Sequence, residues 1–326
     1  MRKYLLSTSA LAGAALLSSA AVADVSISGS FEFDYAARDS NIAANDGNLM
    51  GHDQEVHINF TNKTDSGLTI TANNQFKTSS GAQDDVSVSV SGGFGKVTMG
   101  KTDGANDAYG MNAMGLVQEE EGGTLYSTAS NTATIQTSTG GQGGNNLQAS
   151  YHLPAMGGLT AGVSVGTGAV TANNEWSAFG IKYAMNTGDA AVTLGYSTKT
   201  IETATAADND NTSMGVNVVM GAISVTASAS TKTGVDEDIN TQSAGVSYDL
   251  GNGLVVAAAT VKSEDDDDAG EEYNMTTYEA AYTIASGLSA VLNVSDFDYE
   301  NGTNVDAAGQ VDVNGTTTSL TIKASF

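Results

Sequence analysis

The segment Asp85–Lys101, with the sequence DVSVSVSGGFGKVTMGK, decides the fold. Ahead of its central Gly93-Phe94, apolar and polar residues alternate: Val86, Val88 and Val90 fall on one side, and Ser87, Ser89 and Ser91 on the other. A period of two is typical of a β-strand with two different faces. Only Gly93 and Phe94 separate this stretch from a second strand-like stretch. The segment therefore predicts an antiparallel hairpin.

The same alternation recurs along the rest of the chain. Near the start, Phe31, Phe33 and Tyr35 oppose Glu32 and Asp34. After residue 23 the chain shows no convincing helical stripe. We predict sixteen strands, at about 25–36, 54–62, 68–77, 85–92, 95–101, 146–153, 159–167, 176–185, 190–199, 212–219, 223–231, 240–249, 254–263, 273–284, 288–299 and 315–326.

The connections between these strands are of two kinds. Those after even-numbered strands are short, as at Gly93–Phe94, whereas those after odd-numbered strands are mostly longer, from Ala37–Asp53 to Asn301–Asn314. Hydrocarbon cannot hydrogen-bond to backbone amides, so a sheet that crosses a membrane must close on itself. The predicted fold class is therefore all-β: a transmembrane up-and-down antiparallel β-barrel of sixteen strands, with short periplasmic turns and long external loops. We expect an apolar outer face and a polar inner face that lines water.

The first segment of the chain is typical of a secretion signal. Arg2 and Lys3 precede a short apolar core, and Ala21-Val22-Ala23 provides an A-x-A cleavage pattern. The apolar core is too short to span a bilayer as a helix. We expect residues 1–23 to be a cleaved signal peptide and residues 24–326 to form the barrel.

Composition excludes several functional classes. Without Arg2 and Lys3, ten basic residues remain against thirty-seven acidic ones, a formal charge of −27, so we expect no nucleic acid as a partner. The chain has no Cys, which excludes disulfides and thiolate metal sites. His52, His57 and His152 lack the spacing of a zinc site or a catalytic triad. We therefore expect no enzymatic activity and no required cofactor.

Several motifs resemble those of the Gram-negative general porins, especially the alphaproteobacterial, Rhodobacter-like branch. The matching segments are Asp24–Gly29, Thr64–Leu68, Gly93–Gly100, Tyr248–Gly253 and Leu320–Phe326. The resemblance implies an integral protein of the outer membrane that forms a homotrimer of water-filled channels in contact with lipid and lipopolysaccharide. It also implies a constriction loop, here about 102–145, and a terminal Phe326 that is read by the barrel-assembly machinery.

Charged residues on the loop and on the strands are the candidates for the pore. The acidic set on the constriction loop is Asp103, Asp107, Glu119, Glu120 and Glu121, and the basic set expected on the wall by alternation is Lys77, Lys182, Lys199 and Lys323. Opposed charges across a narrow pore would create a transverse field. Porins of this family usually carry several wall arginines, but the mature chain has only Arg38. The acidic balance predicts a modest preference for cations.

A second acidic cluster lies in a predicted external loop. Its candidate ligands for Ca²⁺ or Mg²⁺ are Asp265, Asp266, Asp267, Asp268, Glu271 and Glu272. Divalent ions could also bridge such a loop to lipopolysaccharide phosphates. The spacing is not that of an EF-hand, and a run of like charges is more often simply solvated.

Two other functions fit the composition. A secreted, calcium-stabilised β-rich adhesive protein would also be acidic and free of Cys, but the chain lacks the G-G-x-G-x-D array of a calcium solenoid. A sugar-specific channel would need an aromatic slide, for which Phe and Trp are sparse. Trp176 and strand-end tyrosines such as Tyr299 are expected in interfacial belts or in a subunit seam.

Overall fold

The computed structural model describes residues 24–42, 46–77, 82–117, 139, 146–167, 175–202, 208–234, 237–268, 270–300 and 312–326. It contains sixteen strands, β1 to β16. Their bounds are β1 Asp24–Ser40, β2 Gly47–Lys63, β3 Thr69–Lys77, β4 Ala82–Gly92, β5 Gly95–Thr102, β6 Asn146–His152, β7 Leu159–Thr167, β8 Glu175–Thr187, β9 Ala190–Glu202, β10 Asn209–Met220, β11 Ile223–Gly234, β12 Glu237–Gly251, β13 Leu254–Asp265, β14 Glu272–Ala285, β15 Leu288–Glu300 and β16 Val313–Ser325. The predicted segment Asp85–Lys101 falls on β4 and β5.

The strands form one closed antiparallel barrel, in which each strand pairs with its neighbours in sequence and β1 pairs with β16. At the closure Glu32 lies opposite Lys323, and Phe33 lies opposite Ile322. The terminal Phe326 continues this seam, because its backbone N–H donates to the carbonyl of Gly29 at 2.9 Å and its carbonyl accepts from Gly29 N at 3.2 Å. The predicted fold class is confirmed.

The two faces of the barrel differ as the alternation predicts. Large apolar side chains point outward, such as Ile27, which is 68% exposed, and Leu147, which is 66% exposed. Serines and threonines line the inner wall and hydrogen-bond to one another, as Thr277 and Ser295 do at 2.9 Å. The outer face is suited to lipid, while closure of the ring satisfies the backbone within the sheet.

The short connections after even-numbered strands are confirmed, and several are tight turns. Gly188 and Gly221 adopt φ of 60° and 57° there, a conformation that side chains disfavour. The predicted first external loop, Ala37–Asp53, was too long, because β1 continues to Ser40 and β2 begins at Gly47. Pairing of β1 with β2 extends to Arg38 and pairing with β16 extends to Ser40, through the stretch Ala-Ala-Arg-Asp, in which polar and apolar residues no longer alternate. The predicted signal peptide, residues 1–23, lies outside the described residues.

The described part of the constriction loop contains two short helical segments that the sequence did not predict. Helix α1 spans Ala105–Tyr109, and a 3₁₀ turn spans Ala113–Leu116. Both are too short to show a helical stripe. Within the described ranges, the chain has no helix long and apolar enough to cross a membrane.

An apolar cluster fills part of the inside of the barrel, where a wet inner face was expected. Met114 and Val117 of the loop pack there against side chains from β12 to β16, namely Ile239, Ala259, Val261, Tyr273, Met275, Phe297, Tyr299 and Val313. Tyr299 is fully buried and donates its hydroxyl to Glu271 at 2.9 Å. Its placement in an interfacial belt is therefore wrong, and so is that of Trp176, which is buried on the inner face beside Lys199.

Candidate functional site

The constriction loop runs along the inner wall after it leaves β5. Helix α1 packs on β7, β8 and β9, and the 3₁₀ turn packs on β11, β12 and β13. Ala105, Asn106 and Tyr109 face the wall and are buried, whereas Asp107 and Ala108 are exposed on the other side of the helix. The loop therefore narrows the barrel from one side and presents Asp107 to the lumen.

A groove of glycines on the inner wall makes room for the loop. The glycine groove consists of Gly162, Gly180, Gly195, Gly215 and Gly245, on β7, β8, β9, β10 and β12. A Cβ at Gly180 would lie 2.6 Å from the carbonyl oxygen of Ala105, and one at Gly195 would lie 2.4 Å from Cγ of Met111. Backbone and side chains of the loop occupy the space that side chains would take at these positions.

Hydroxyl groups on the wall fasten the loop backbone above this groove. Ser164 Oγ accepts the N–H of Ala105 at 2.9 Å. Further along, the N–H of Ala113 lies 3.2 Å from Oγ of both Ser228 and Ser243. Strand serines thus satisfy backbone groups that the short helical segments leave unpaired.

Thr139, in the second half of the loop, joins the same hydroxyl cluster. Its Oγ1 lies 2.6 Å from Ser228 Oγ and 2.9 Å from Ser243 Oγ. Its carbonyl accepts the hydroxyl of Ser213 at 2.7 Å, and its Oγ1 donates to the carbonyl of Met111 at 3.2 Å. Thr139 is fully buried, and it connects the two limbs of the loop with β10, β11 and β12.

Asp107 is the described loop carboxylate whose proton affinity is most changed. Its side chain reaches lumen water, yet the barrel wall surrounds it. This burial within the barrel, and then the nearby charge of Asp103, raise the pKa of Asp107 to about 6, while Lys182 and Lys199 act in the opposite direction. Asp103 is also exposed, immediately after β5. Glu119, Glu120 and Glu121 lie outside the described residues.

Two of the candidate lysines stand on the same side of the barrel as the loop. Lys182 Nζ donates to the carbonyl oxygen of Ala108, at the end of α1, at 3.0 Å. Lys199 is buried, and its Nζ lies 4.9 Å from the centroid of the Trp176 ring, in a cation–π contact. These two lysines hold the loop side of the barrel together and do not face the loop across the lumen.

The other two candidate lysines lie on the wall opposite the loop, where each is paired with a carboxylate. Lys77 Nζ is 2.6 Å from Asp53 Oδ2, and Lys323 Nζ is 3.5 Å from Glu32 Oε1. The same wall carries Glu55, whose Oε2 lies 3.3 Å from His57 Nε2.

The sequence prediction did not single out the wall carboxylates as site residues. They are Glu32 and Asp34 on β1 and Asp53 and Glu55 on β2. For Glu32, Asp34 and Glu55 the signal was present, because they fall on the polar side of the alternation. Asp53 stood in the predicted first loop, where alternation was not considered.

A polar recess of about 420 Å³ opens on the inner wall of β2 to β6. Lys96 and Asp103 are among its lining residues, together with asparagine and hydroxyl side chains. His152 borders it and is held against the loop, with its Nδ1 2.9 Å from the hydroxyl of Tyr109. This side of the lumen is therefore polar, in contrast to the apolar cluster at β12 to β16.

The acidic residues proposed as metal ligands are engaged in structural hydrogen bonds. Asp265 Oδ1 accepts backbone N–H groups of Asp238 at 3.1 Å and Asp267 at 3.0 Å. Asp266 accepts from Asn240 at 2.8 Å. Within the part of the chain that the structure describes, no three His, Asp or Glu side chains converge as a metal site.

Asp268, Glu271 and Glu272 are held by contacts within the external loop and at the start of β14. The carbonyl oxygen of Asp268 accepts the N–H of Glu271 at 3.0 Å. Glu272 Oε2 lies 3.2 Å from Lys262 Nζ. Several of these contacts fix the course of the loop between β13 and β14.

Solved structures with the same fold are known from several bacteria. The anion-selective porin of Comamonas acidovorans has a TM-score of 0.68 at 15% identity, over 94% of this chain and 100% of that one. OmpT of Vibrio cholerae, in its trimer form, has a TM-score of 0.65 at 14% identity, over 94% and 100%. A mutant of the Rh. blastica porin has a TM-score of 0.61 at 14% identity, over 93% and 100%.

No curated protein matches the sequence. The family model described as Gram-negative porin matches residues 7–322, which is nearly the whole chain. Together with the closed barrel and the inward-folded loop, this match makes the protein an integral outer-membrane channel. The chain belongs to the Gram-negative porin family.

Proposed function

We propose that this porin is a passive diffusion channel for small hydrophilic solutes and ions, with a mild preference for cations. The observation that carries the proposal is the inward-folded loop, which presents Asp103 and Asp107 to a polar lumen inside a closed barrel. A constriction lined by charges and hydroxyls excludes apolar solutes, and an excess of carboxylates at the mouths concentrates cations.

The preference is expected to be mild because the inner wall contains bases as well as acids. Lys77 and Lys323 neutralise one carboxylate each at close range. The mature chain nevertheless has a formal charge of −27, and such a charge attracts cations most strongly at low ionic strength. Anion selectivity, which the Comamonas acidovorans porin has by name, would require the opposite balance.

Reconstitution into planar bilayers tests this function. We expect stepwise increases of conductance and, across a KCl gradient, a reversal potential of the sign set by K⁺. The preference should weaken as the salt concentration rises, because the mouth charges are then screened. Absence of channels would contradict the transport function, whereas a clear preference for Cl⁻ would contradict only the selectivity.

We also propose a homotrimer, which the trimer form of the Vibrio cholerae OmpT structure supports by analogy. Each subunit would then contribute its own pore, so conductance should rise in groups of three equal steps. Chemical cross-linking in detergent should give a trimeric band. Single, independent steps together with a monomeric band would contradict the proposal.

Two further partners are proposed at the ends of the barrel. At one end, the side chain of Phe326 is 85% exposed while its backbone closes the barrel, which suits recognition by the assembly machinery. Deletion of Phe326 should slow barrel assembly in cells without changing conductance in bilayers. At the other end, lipopolysaccharide is the expected lipid partner, and its removal should lower thermal stability in detergent.

A further inference from the structure

The carboxylates on the wall opposite the loop are not equally compensated. Among Glu32, Asp34, Asp53 and Glu55, the first and third each lie within 3.5 Å of a lysine Nζ. Glu55 lies 3.3 Å from His57, and no lysine or arginine within the described ranges forms an ion pair with it. Lys77 lies opposite Glu55 in the register but directs its Nζ to Asp53 at 2.6 Å.

Asp34 is the least compensated member of the set. Its Oδ1 is enclosed and has no hydrogen-bond partner, and no lysine or arginine within the described ranges forms an ion pair with it. Its neighbours in the register are Gly51 and Thr321, neither of which carries a charge. An enclosed carboxylate oxygen without a hydrogen-bond donor leaves the negative charge of Asp34 uncompensated by its immediate neighbours.

The loop side of the lumen offers a less effective negative charge. Asp107 has a pKa of about 6 and two lysines nearby, Lys182 and Lys199. Part of its charge is therefore lost or offset at neutral pH.

We infer that Asp34 and Glu55, on the β1–β2 wall, make the largest contribution to the cation selectivity of this porin. The inference rests on the proposed channel function and goes beyond it by naming the residues. These two carboxylates supply the excess negative charge at the wall that borders the water path. Lys77 and Lys323 reduce the same excess by pairing with their neighbours.

The test compares reversal potentials of charge-removing variants in a KCl gradient. Asp34→Asn and Glu55→Gln should each lower the ratio of K⁺ to Cl⁻ permeability by about twofold to fourfold, the Coulomb factor for unit charges about 5 Å apart in water. Asp189→Asn removes the same charge from an exposed turn between β8 and β9 and should lower the ratio less than either wall substitution. Ratios of both wall variants equal to that of Asp189→Asn would overturn the inference.

A pair of opposite sign keeps the test decisive if a wall variant folds poorly. Lys77→Gln and Lys323→Gln remove the cations beside Asp53 and Glu32 and should raise the permeability ratio by a similar factor. Where the carboxylate variants do not fold, an unchanged ratio in both lysine variants would overturn the inference. Folding of every variant is checked by the heat-dependent shift of the barrel on gels. If the wild-type protein forms no channels, both the channel function and this inference are overturned. If channels form but none of the four substitutions changes their selectivity, the inference alone is overturned.

Discussion

Substitution of Gly180 tests whether the wall sets the position of the constriction loop. A Cβ at this position would lie 2.5 Å from Cβ of Tyr109 and 2.6 Å from the carbonyl oxygen of Ala105. Ordinary contacts begin at 3.4 Å, so Gly180→Ala requires helix α1 to move by about 0.8–0.9 Å. Overpacking of this kind typically costs about 1–3 kcal/mol.

The direction of that movement determines the functional result. The wall behind Gly180 is a hydrogen-bonded barrel strand, so the loop is the element that yields, and it can only move toward the lumen. Asp107 and Ala108 lie on that side of α1. We expect single-channel conductance to fall in the order wild type, Gly180→Ala, Gly180→Val, with the barrel itself intact.

The assay is conductance in planar bilayers at high salt, where mouth charges are screened. Gly93→Ala is the matched control, because no atom lies within 4 Å of its Cβ position, and its conductance should equal that of the wild type. Heat-dependent gel mobility checks that each variant is folded. Unchanged or increased conductance in both Gly180 variants would refute the reasoning that the glycine groove positions the loop.

Four further outcomes follow from the same contacts. Thr139→Val removes the hydroxyl that joins both loop limbs to the wall. This loss should weaken the anchoring of the loop by about 1–3 kcal/mol and increase the number of brief closures in single-channel records. Thr139→Ser keeps the hydroxyl and should not have this effect. Because burial raises the pKa of Asp107 to about 6, acidification from pH 7.5 to 5 should protonate it and reduce cation preference, a component that Asp107→Asn should lack. Met114→Ala opens a cavity in the inner apolar cluster and should cost about 2–5 kcal/mol in urea unfolding, unlike Met220→Ala on the exposed outer face. Calcium or a chelator should not shift the thermal transition, and a shift of several degrees would count against a purely structural role for the acidic loop.

The barrel was predictable because its pattern is local. Each strand has lipid on one side and polar groups on the other, which imposes a period of two on its sequence. This period can be recognised in a single stretch such as Asp85–Lys101, whatever strands lie beside it in the fold. Closure followed from the same physics, since a sheet in hydrocarbon has no tolerable edge. The first loop was predicted too long because the alternation fades at Ala36 and Ala37, although the backbone pairing of β1 with β2 continues to Arg38 and Gly47.

The interior was less predictable because alternation gives the side of a residue but not its partner. It placed Lys77, Lys182, Lys199 and Lys323 on one face. It could not distinguish Lys199, stacked on Trp176, from Lys77, paired with Asp53. Such pairing depends on the register between strands and on the course of the loop, which are both non-local.

The inner wall has one region that holds the loop and another that borders water. In both regions the alternation of period two places every second residue of a strand on the inner wall. On β7 to β12 the inward positions include glycines and serines that accept the loop backbone, and on β12 to β16 they include large apolar residues that bury Met114. On β1 to β6 most of them are polar or charged, with exceptions such as Ala36 and Leu49. A cluster of large apolar inward residues therefore indicates where the loop is docked, and a run of charged inward residues indicates where ions pass. By this reasoning, a charge change on β1 or β2 should alter selectivity at little cost in stability, whereas a change at the glycine groove should alter the size of the passage.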